Sequence, residues 1–230
     1  MMRLPRVLAI VPAAGSGKRL GLIGKKPFVI LNGKPLVYYA LKALDSSSAI
    51  TQIFIAAQSS EISRIKGIVK RYKFNKVKKI IVGGSTRLES VANCLKSAGD
   101  DFDVMLIHDA ARPLIDADLI GRSVKAALKH GACIAAVPES DTIKLVDDKL
   151  FIQKTLDRDH IFRAQTPQAF RTAVLKKAYA ACANRRAGVK ATDDSALVEA
   201  IGCGVKIVES SYRNIKITTK VDLKLAEVLL

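Results

Sequence analysis

A chain of 230 residues, 49% hydrophobic and 26% charged, has an ordinary globular balance, which excludes wholesale disorder. Against 21 Asp and Glu it carries 38 Lys and Arg, a formal charge of +17, so an anionic partner is expected: nucleic acid, a membrane surface or phosphorylated small molecules. No apolar run approaches the roughly 20 residues that span a bilayer, so a membrane partner is not expected.

The first element is a strand, Val7–Val11. It follows Arg3 and Arg6 in the manner of a signal peptide, but Pro12 and a glycine-rich loop cut it too short for export. Cytoplasmic residence is the expectation. Ile53–Ala57, Lys79–Val82, Val104–His108 and Cys133–Val137 are further β-branched runs, predicted as strands buried on both faces. Helical spacing falls between them, at Leu36–Leu44, Glu61–Tyr72, Thr86–Lys96 and Asp118–Lys129. Alternation of this kind predicts an α/β fold: a Rossmann-like three-layer sandwich with a mostly parallel central sheet. Ligands then bind where loops collect at the carboxyl ends of the strands.

The pattern changes after Val137. Thr142–Val146 and Leu150–Lys154 flank Asp147-Asp148-Lys149, a hairpin signature. The excursion over about 138–160 is expected to project as a β-arm that pairs two copies in a homodimer. Helices at Arg171–Ala183 and Asp194–Ile201, a strand at Val205–Glu209 and a closing helix from Val221 follow. With no repeat or linker, residues 1–230 are expected to form a single domain.

Eight basic residues and no acidic one lie between Ile62 and Ile81. Ile62, Ile65, Val69 and Tyr72 recur there at helical spacing, so the cations are expected on the solvated face of an amphipathic helix. With only Tyr72 and Phe74 as aromatics, the stretch offers no stacking platform, and nucleic acid is not expected as a partner. Cys94, Cys133, Cys182 and Cys203 are scattered, and with His108, His130 and His160 they have no metal-ligand spacing. Reduced core cysteines are expected.

Three loops carry the chemistry. The first reads Pro12-Ala13-Ala14-Gly15-Ser16-Gly17-Lys18-Arg19-Leu20-Gly21, then Gly24-Lys25-Lys26-Pro27. Glycines directly after a strand present backbone N–H groups to anionic oxygens. It is no P-loop, because Arg19 stands where Ser or Thr should follow Gly-Lys, and Leu20 replaces the third glycine of a dinucleotide fingerprint. What remains is a phosphate cradle with four cations: Lys18, Arg19, Lys25 and Lys26. The second loop, His108-Asp109-Ala110-Ala111-Arg112-Pro113, puts an Asp at a strand tip, where it can hold a divalent cation or substrate hydroxyls. The third, Gly83-Gly84-Ser85-Thr86-Arg87, opens a helix with glycines and hydroxyls. Asp157-Arg158, Thr166-Pro167-Gln168 and Asn214-Ile215-Lys216-Ile217-Thr218 follow.

Taken in order, P-A-A-G-x-G-x-R, H-D-A-A-R-P, D-R, T-P-Q and N-I-K-x-T resemble the 2-C-methyl-D-erythritol 4-phosphate cytidylyltransferases, of the nucleotide-diphospho-sugar transferase fold. The first motif is common to many nucleotidyltransferases, whereas the set of five is specific. The resemblance covers essentially the whole chain. It implies transfer of CMP from Mg²⁺-bound CTP to a sugar-alcohol phosphate in the non-mevalonate isoprenoid route. It further implies that Arg19 and Lys26 stabilise the α-phosphate, with Ala13, Ala14, Gly15, Gly17, Gly84 and Ser90 around the CTP. Asp109, Arg112, Thr142 and Thr166 would bind the alcohol phosphate, Arg158 and Lys216 would act as further catalytic cations, and Asp109 is the candidate metal ligand. Arg158 and Thr166 would arrive from the partner subunit's arm. Ser85 stands where the family often has an acidic residue, and Pro27 where a polar one is frequent. The same chemistry on another alcohol phosphate, such as ribitol 5-phosphate, is the nearest rival. A nucleic-acid-binding protein, motivated by the charge, is the rival from another class.

Overall fold

Alternation along the first strand builds two cores at once. Val7, Ala9 and Val11 point into one apolar cluster, and Leu8 and Ile10 into another. The computed structural model describes residues 3–15, 26–184 and 191–230. In chain order these form β1 (Val7–Pro12), β2 (Ile30–Leu31), β3 (Lys34–Pro35), α1 (Leu36–Ser46), β4 (Gln52–Ala57), α2 (Ile62–Tyr72) and β5 (Val77–Val82). Next come α3 (Arg87–Ala98), β6 (Val104–Ile107), α4 (Ala117–His130), β7 (Ala132–Pro138), β8 (Lys144–Val146) and β9 (Ile152–Thr155). The chain continues with β10 (Phe162–Arg171), α5 (Thr172–Asn184), α6 (Asp194–Glu199), β11 (Lys206–Glu209) and α7 (Lys220–Leu229).

Seven of these strands form one sheet in the order β11-β7-β10-β6-β1-β4-β5. Its pairs are parallel except where β10 runs antiparallel between β6 and β7. Leu41, Leu44, Ile65, Ile120 and Val124 from α1, α2 and α4 cover one face. Val91, Leu95, Leu175, Leu197 and Val198 from α3, α5 and α6 cover the other. This is the expected α/β sandwich. The chain winds outward from β1 through β4 to β5 and then returns to β6 on the other side of β1. The loops after β1 and β6 therefore diverge, leaving the crevice where ligands bind in open α/β sheets.

One expectation needs correction, and one strand was not foreseen. The strand at Lys79–Val82 is not buried on both faces: Lys78, Lys79 and Val82 of β5 are exposed, because β5 is an edge strand. Edge lysines block further strand pairing, which gives part of the basic stretch a structural reason. The unforeseen strand is β10, hidden from sequence reading by its buried Gln165, Thr166 and Gln168 and by Pro167. Pairing of β10 with β7 is irregular between Ala164 and Gln168, where proline has no N–H to give.

β8 and β9 pair only with each other, and the turn between them and the start of β9 leave Leu150, Phe151 and Ile152 exposed at 80%, 70% and 64%. Cys94 and Cys133 lie in the core, where burial pushes both thiols up to about 12. Among the described residues no helix is long and apolar enough to cross a membrane.

Candidate active site

The carboxyl ends of β1, β5 and β6 open into a cleft of about 680 Å³, within the usual size of a small-molecule site. Its walls are the three loops singled out in the sequence. Each loop continues the parallel ladder for one more bond: Ala13 N–H donates to Ala56 O, Gly83 N–H to Ala57 O, and His108 N–H to Ile10 O. Ala13, Ala14, Gly15, Lys26, Gly84, Ser90, Asp109 and Lys216 all line the cleft. Gly17 and Arg19 lie outside the described residues.

The first and third loops touch, and only glycine permits it. A Cβ on Gly83 would come 2.5 Å from the Ala14 Cβ, and one on Gly84 2.2 Å from the Glu89 Cβ. Gln58 Nε2 holds the first loop by donating to Ala14 O at 2.8 Å. In the third loop Gly84 N–H donates to Ser90 Oγ at 3.1 Å, which in turn donates to Thr86 O at 2.9 Å. Thr86 caps α3 by accepting from Glu89 N–H. The Glu89 carboxylate accepts from both the backbone N–H and the hydroxyl of Ser85 at 2.7 Å. A carboxylate therefore stands beside Ser85, although the sequence has none at that position.

In the second loop Asp109 is 7% exposed. Its Oδ1 accepts from Arg87 Nε at 3.1 Å, and its Oδ2 pairs with Lys216 Nζ at 2.6 Å. Burial works to raise this carboxyl, but the Arg87 and Lys216 cations override it and hold it well below the usual carboxylate range. Lys216 arrives because its neighbours are anchored. Ile217 is buried and its N–H donates to Ala111 O at 2.9 Å, while Asn214 donates to Gln165 Oε1 and Thr166 O at 3.0 and 2.8 Å. Alternation then turns Lys216 toward the cleft.

His108 underpins the loop from below. It is fully buried, and burial lowers its pKa to about 4, so the ring is neutral. Nε2 lies 3.0 Å from Arg112 O, an acceptor, so Nε2 carries the proton. Nδ1 then accepts from Thr166 Oγ1 at 3.0 Å.

Four site residues expected from sequence are not brought to the cleft. Arg112 is 8% exposed, and its Nη1 donates to Asn214 O at 2.6 Å, so its guanidinium holds the scaffold behind the cleft. Thr166 is buried on β10 beside Asp109 of the same chain, which corrects the expectation that it reaches in from a partner's arm. Thr142 is exposed at the base of the arm, and exposed Arg158 donates to Ser140 O at 2.9 Å. Sequence reasoning also missed Arg87 as a cleft residue and Asp194 as its partner: Arg87 Nη1 reaches Asp194 Oδ2 at 2.6 Å. Two residues 107 apart in sequence carry no local signal of that pairing.

Glycine loops aimed at a switch point, with lysines and one paired carboxylate, define a nucleotide-handling α/β enzyme. The sequence profile described as IspD, 2-C-methyl-D-erythritol 4-phosphate cytidylyltransferase, matches residues 7–230. A protein of that name from Alkaliphilus metalliredigens is 41% identical over 227 residues, covering 98% of this chain and 93% of its own length. Another from Geobacter metallireducens is 40% identical, with 97% of each chain covered. The crystal structure of the Thermus thermophilus protein superposes with a TM-score of 0.79 at 30% identity, over 97% of this chain and 98% of that one. The 4-diphosphocytidyl-2C-methyl-D-erythritol synthase of Anaerococcus prevotii gives 0.86 at 29% identity, over 98% of both chains. The chain belongs to the 2-C-methyl-D-erythritol 4-phosphate cytidylyltransferase family, and is a nucleotidyltransferase.

Proposed function

We propose that the protein transfers CMP from CTP to 2-C-methyl-D-erythritol 4-phosphate, releasing pyrophosphate and 4-diphosphocytidyl-2-C-methyl-D-erythritol on the cytoplasmic, non-mevalonate route to isoprenoid precursors. The observation that carries this reading is the cleft itself, with two glycine loops on one side and the Asp109–Lys216 pair facing them.

The nucleophile is a phosphate monoester oxygen, already ionised at neutral pH, so no general base is needed. What opposes reaction is repulsion between two polyanions and charge that builds on the α-phosphate and the leaving pyrophosphate. Lys26, on the wall of the cleft, is suited to stabilise that charge, with Arg19 of the first loop as a second cation. Lys216 and Asp109 are suited to orient the acceptor for in-line attack.

A hard divalent ion, Mg²⁺, neutralises phosphate charge when bound. Among the described residues no three His, Cys, Asp or Glu side chains cluster to hold one. Both Asp109 oxygens already accept from cations, which argues against Asp109 as a metal ligand. An ion carried in by the nucleotide would take phosphate oxygens and water as most of its ligands.

Arg158 and Thr142 lie on an arm whose tip exposes Leu150, Phe151 and Ile152, an apolar surface suited to a second copy. In a homodimer through this arm, Arg158 and Thr142 complete the partner's cleft. Pyrophosphate release, assayed for each nucleoside triphosphate against methylerythritol and ribitol phosphates, tests the assignment. Turnover confined to CTP with methylerythritol phosphate is expected, and preference for ribitol phosphate would reassign the acceptor.

A further inference from the structure

Asp194 is fully buried, yet neither the cleft nor the helix it opens accounts for its charge. The N-cap of α6 is Asp193, whose Oδ1 accepts from Ala196 N–H at 3.0 Å. Asp194 instead accepts from Arg87 Nη1 at Oδ2 and from Tyr179 Oη at Oδ1, both at 2.6 Å. Burial works to raise this carboxyl, while the Arg87 guanidinium and the Tyr179 hydroxyl favour its charged form. Docking α6 does not require it, since Leu197 and Val198 already bury that helix in the core. Buried ion pairs are also poor sources of stability, because desolvation offsets their attraction.

Arg87 connects this carboxylate to the cleft. Its planar fork gives Nη1 to Asp194 and Nε to Asp109, so an orientation set at one end is transmitted to the other. β10 grips both ends. Gln168 Oε1 accepts from Asp194 N–H at 3.1 Å while its Nε2 donates to Asp193 Oδ2 at 2.7 Å, and Thr166 Oγ1 accepts from Asp109 N–H at 3.1 Å. Without an anchored Arg87, the Asp109 carboxylate would keep Lys216 as its remaining side-chain cation and draw it back from the cleft.

We propose that Asp194 and Arg87 are positioning residues: Asp194 orients Arg87, and Arg87 holds Asp109, and through it Lys216, against the alcohol phosphate. This rests on the cytidylyl-transfer reading. Asp194→Asn keeps shape and one acceptor for Arg87, and should raise KM for the alcohol phosphate about tenfold while leaving KM for CTP within about twofold. Arg87→Met should lower kcat/KM for the alcohol phosphate by about 100-fold, and Arg87→Lys should not rescue it, because a point charge cannot serve both carboxylates. Since Asp194 acts only through Arg87, the double variant Asp194→Asn/Arg87→Met should be no worse than Arg87→Met.

Additive losses in the double variant, or equal effects on both substrates, overturn the proposal. Should Asp194→Asn not fold, Tyr179→Phe removes the donor on the other oxygen and should give the same split at about threefold. A wild-type protein that releases no pyrophosphate would sink the reaction assignment alone. The relay would then be read in crystals of Asp194→Asn: an Asp109 carboxylate turned off Arg87 supports it, and Arg87–Asp109–Lys216 geometry unchanged from wild type overturns it.

Discussion

The Thr166 hydroxyl accepts from the backbone N–H of Asp109 at 3.1 Å, tying the loop after β6 to the strand beside it. That hydroxyl's own proton goes to His108 Nδ1, and His108 Nε2–H goes to Arg112 O. One side chain on β10 thus sets the tip of the loop that carries Asp109.

Thr166→Val keeps the shape but leaves a buried N–H and a buried imidazole nitrogen without partners. Each such orphan costs about 1–3 kcal/mol. The variant should melt at lower temperature and lose at least about tenfold in kcat/KM, whereas Thr166→Ser should retain most of both. A Thr166→Val protein as stable and active as wild type, with Thr166→Ser impaired, would show that the methyl group matters and the hydroxyl does not.

Acid should destabilise the fold through His108. Its folded pKa, about 4, lies below the ordinary value of 6.5 because burial disfavours the charged ring. Below pH 6.5 the unfolded chain takes up a proton that the folded chain refuses, so stability falls as pH drops from 6.5 toward 4. The loss is on the order of 3 kcal/mol, and above pH 6.5 the residue adds nothing. Denaturant midpoints across this range measure the slope, and NMR of the ring identifies its source. Native His108 titrating near 6.5 would refute the assignment.

What the sequence disclosed follows from which constraints are local. Glycines and cations after β1 could be assigned a task because close approach to phosphate demands those residue types within a short loop. The arm could be read because Asp147-Asp148-Lys149 is itself a turn signal, and in the fold Asp147 Oδ1 accepts from the N–H groups of Lys149 and Phe151. β10 could not: it is a buried strand carrying Gln165, Thr166 and Gln168, polar because they bind Asn214, Asp109 and the α6 terminus. Its composition is explained only by partners far away in the chain. Arg112 illustrates the converse, a charge beside the site whose hydrogen bonds go to backbone carbonyls.

Lys26→Ala should lower kcat far more than it weakens CTP binding. Lys26 lines the cleft next to the first loop, and in the proposed reaction it would oppose charge that develops during transfer. Removing one such group typically costs about 100- to 1,000-fold in kcat. Steady-state kinetics with calorimetric CTP binding separate the two effects, and a loss confined to KM would show that Lys26 serves only the ground state.

Shared clefts in a homodimer give the strongest test of the arm. Lys26 lies in the cleft, whereas Arg158 lies on the exposed excursion and outside the cleft of its own chain. If the arm crosses a two-fold axis, each cleft combines Lys26 of one chain with Arg158 of the other, and the two clefts are equivalent. Lys26→Ala and Arg158→Ala dimers should each be nearly inactive. After equal amounts are mixed and allowed to exchange subunits, half the dimers are hybrids. Each hybrid has one doubly damaged cleft and one intact cleft, so activity should recover to about one quarter of wild type. If both residues serve the same chain's cleft, every cleft carries one lesion and mixing restores nothing. An inactive mixture in which exchange is demonstrated by mass spectrometry would therefore remove the arm from catalysis, while the chemistry of Lys26, Asp109 and Lys216 would stand.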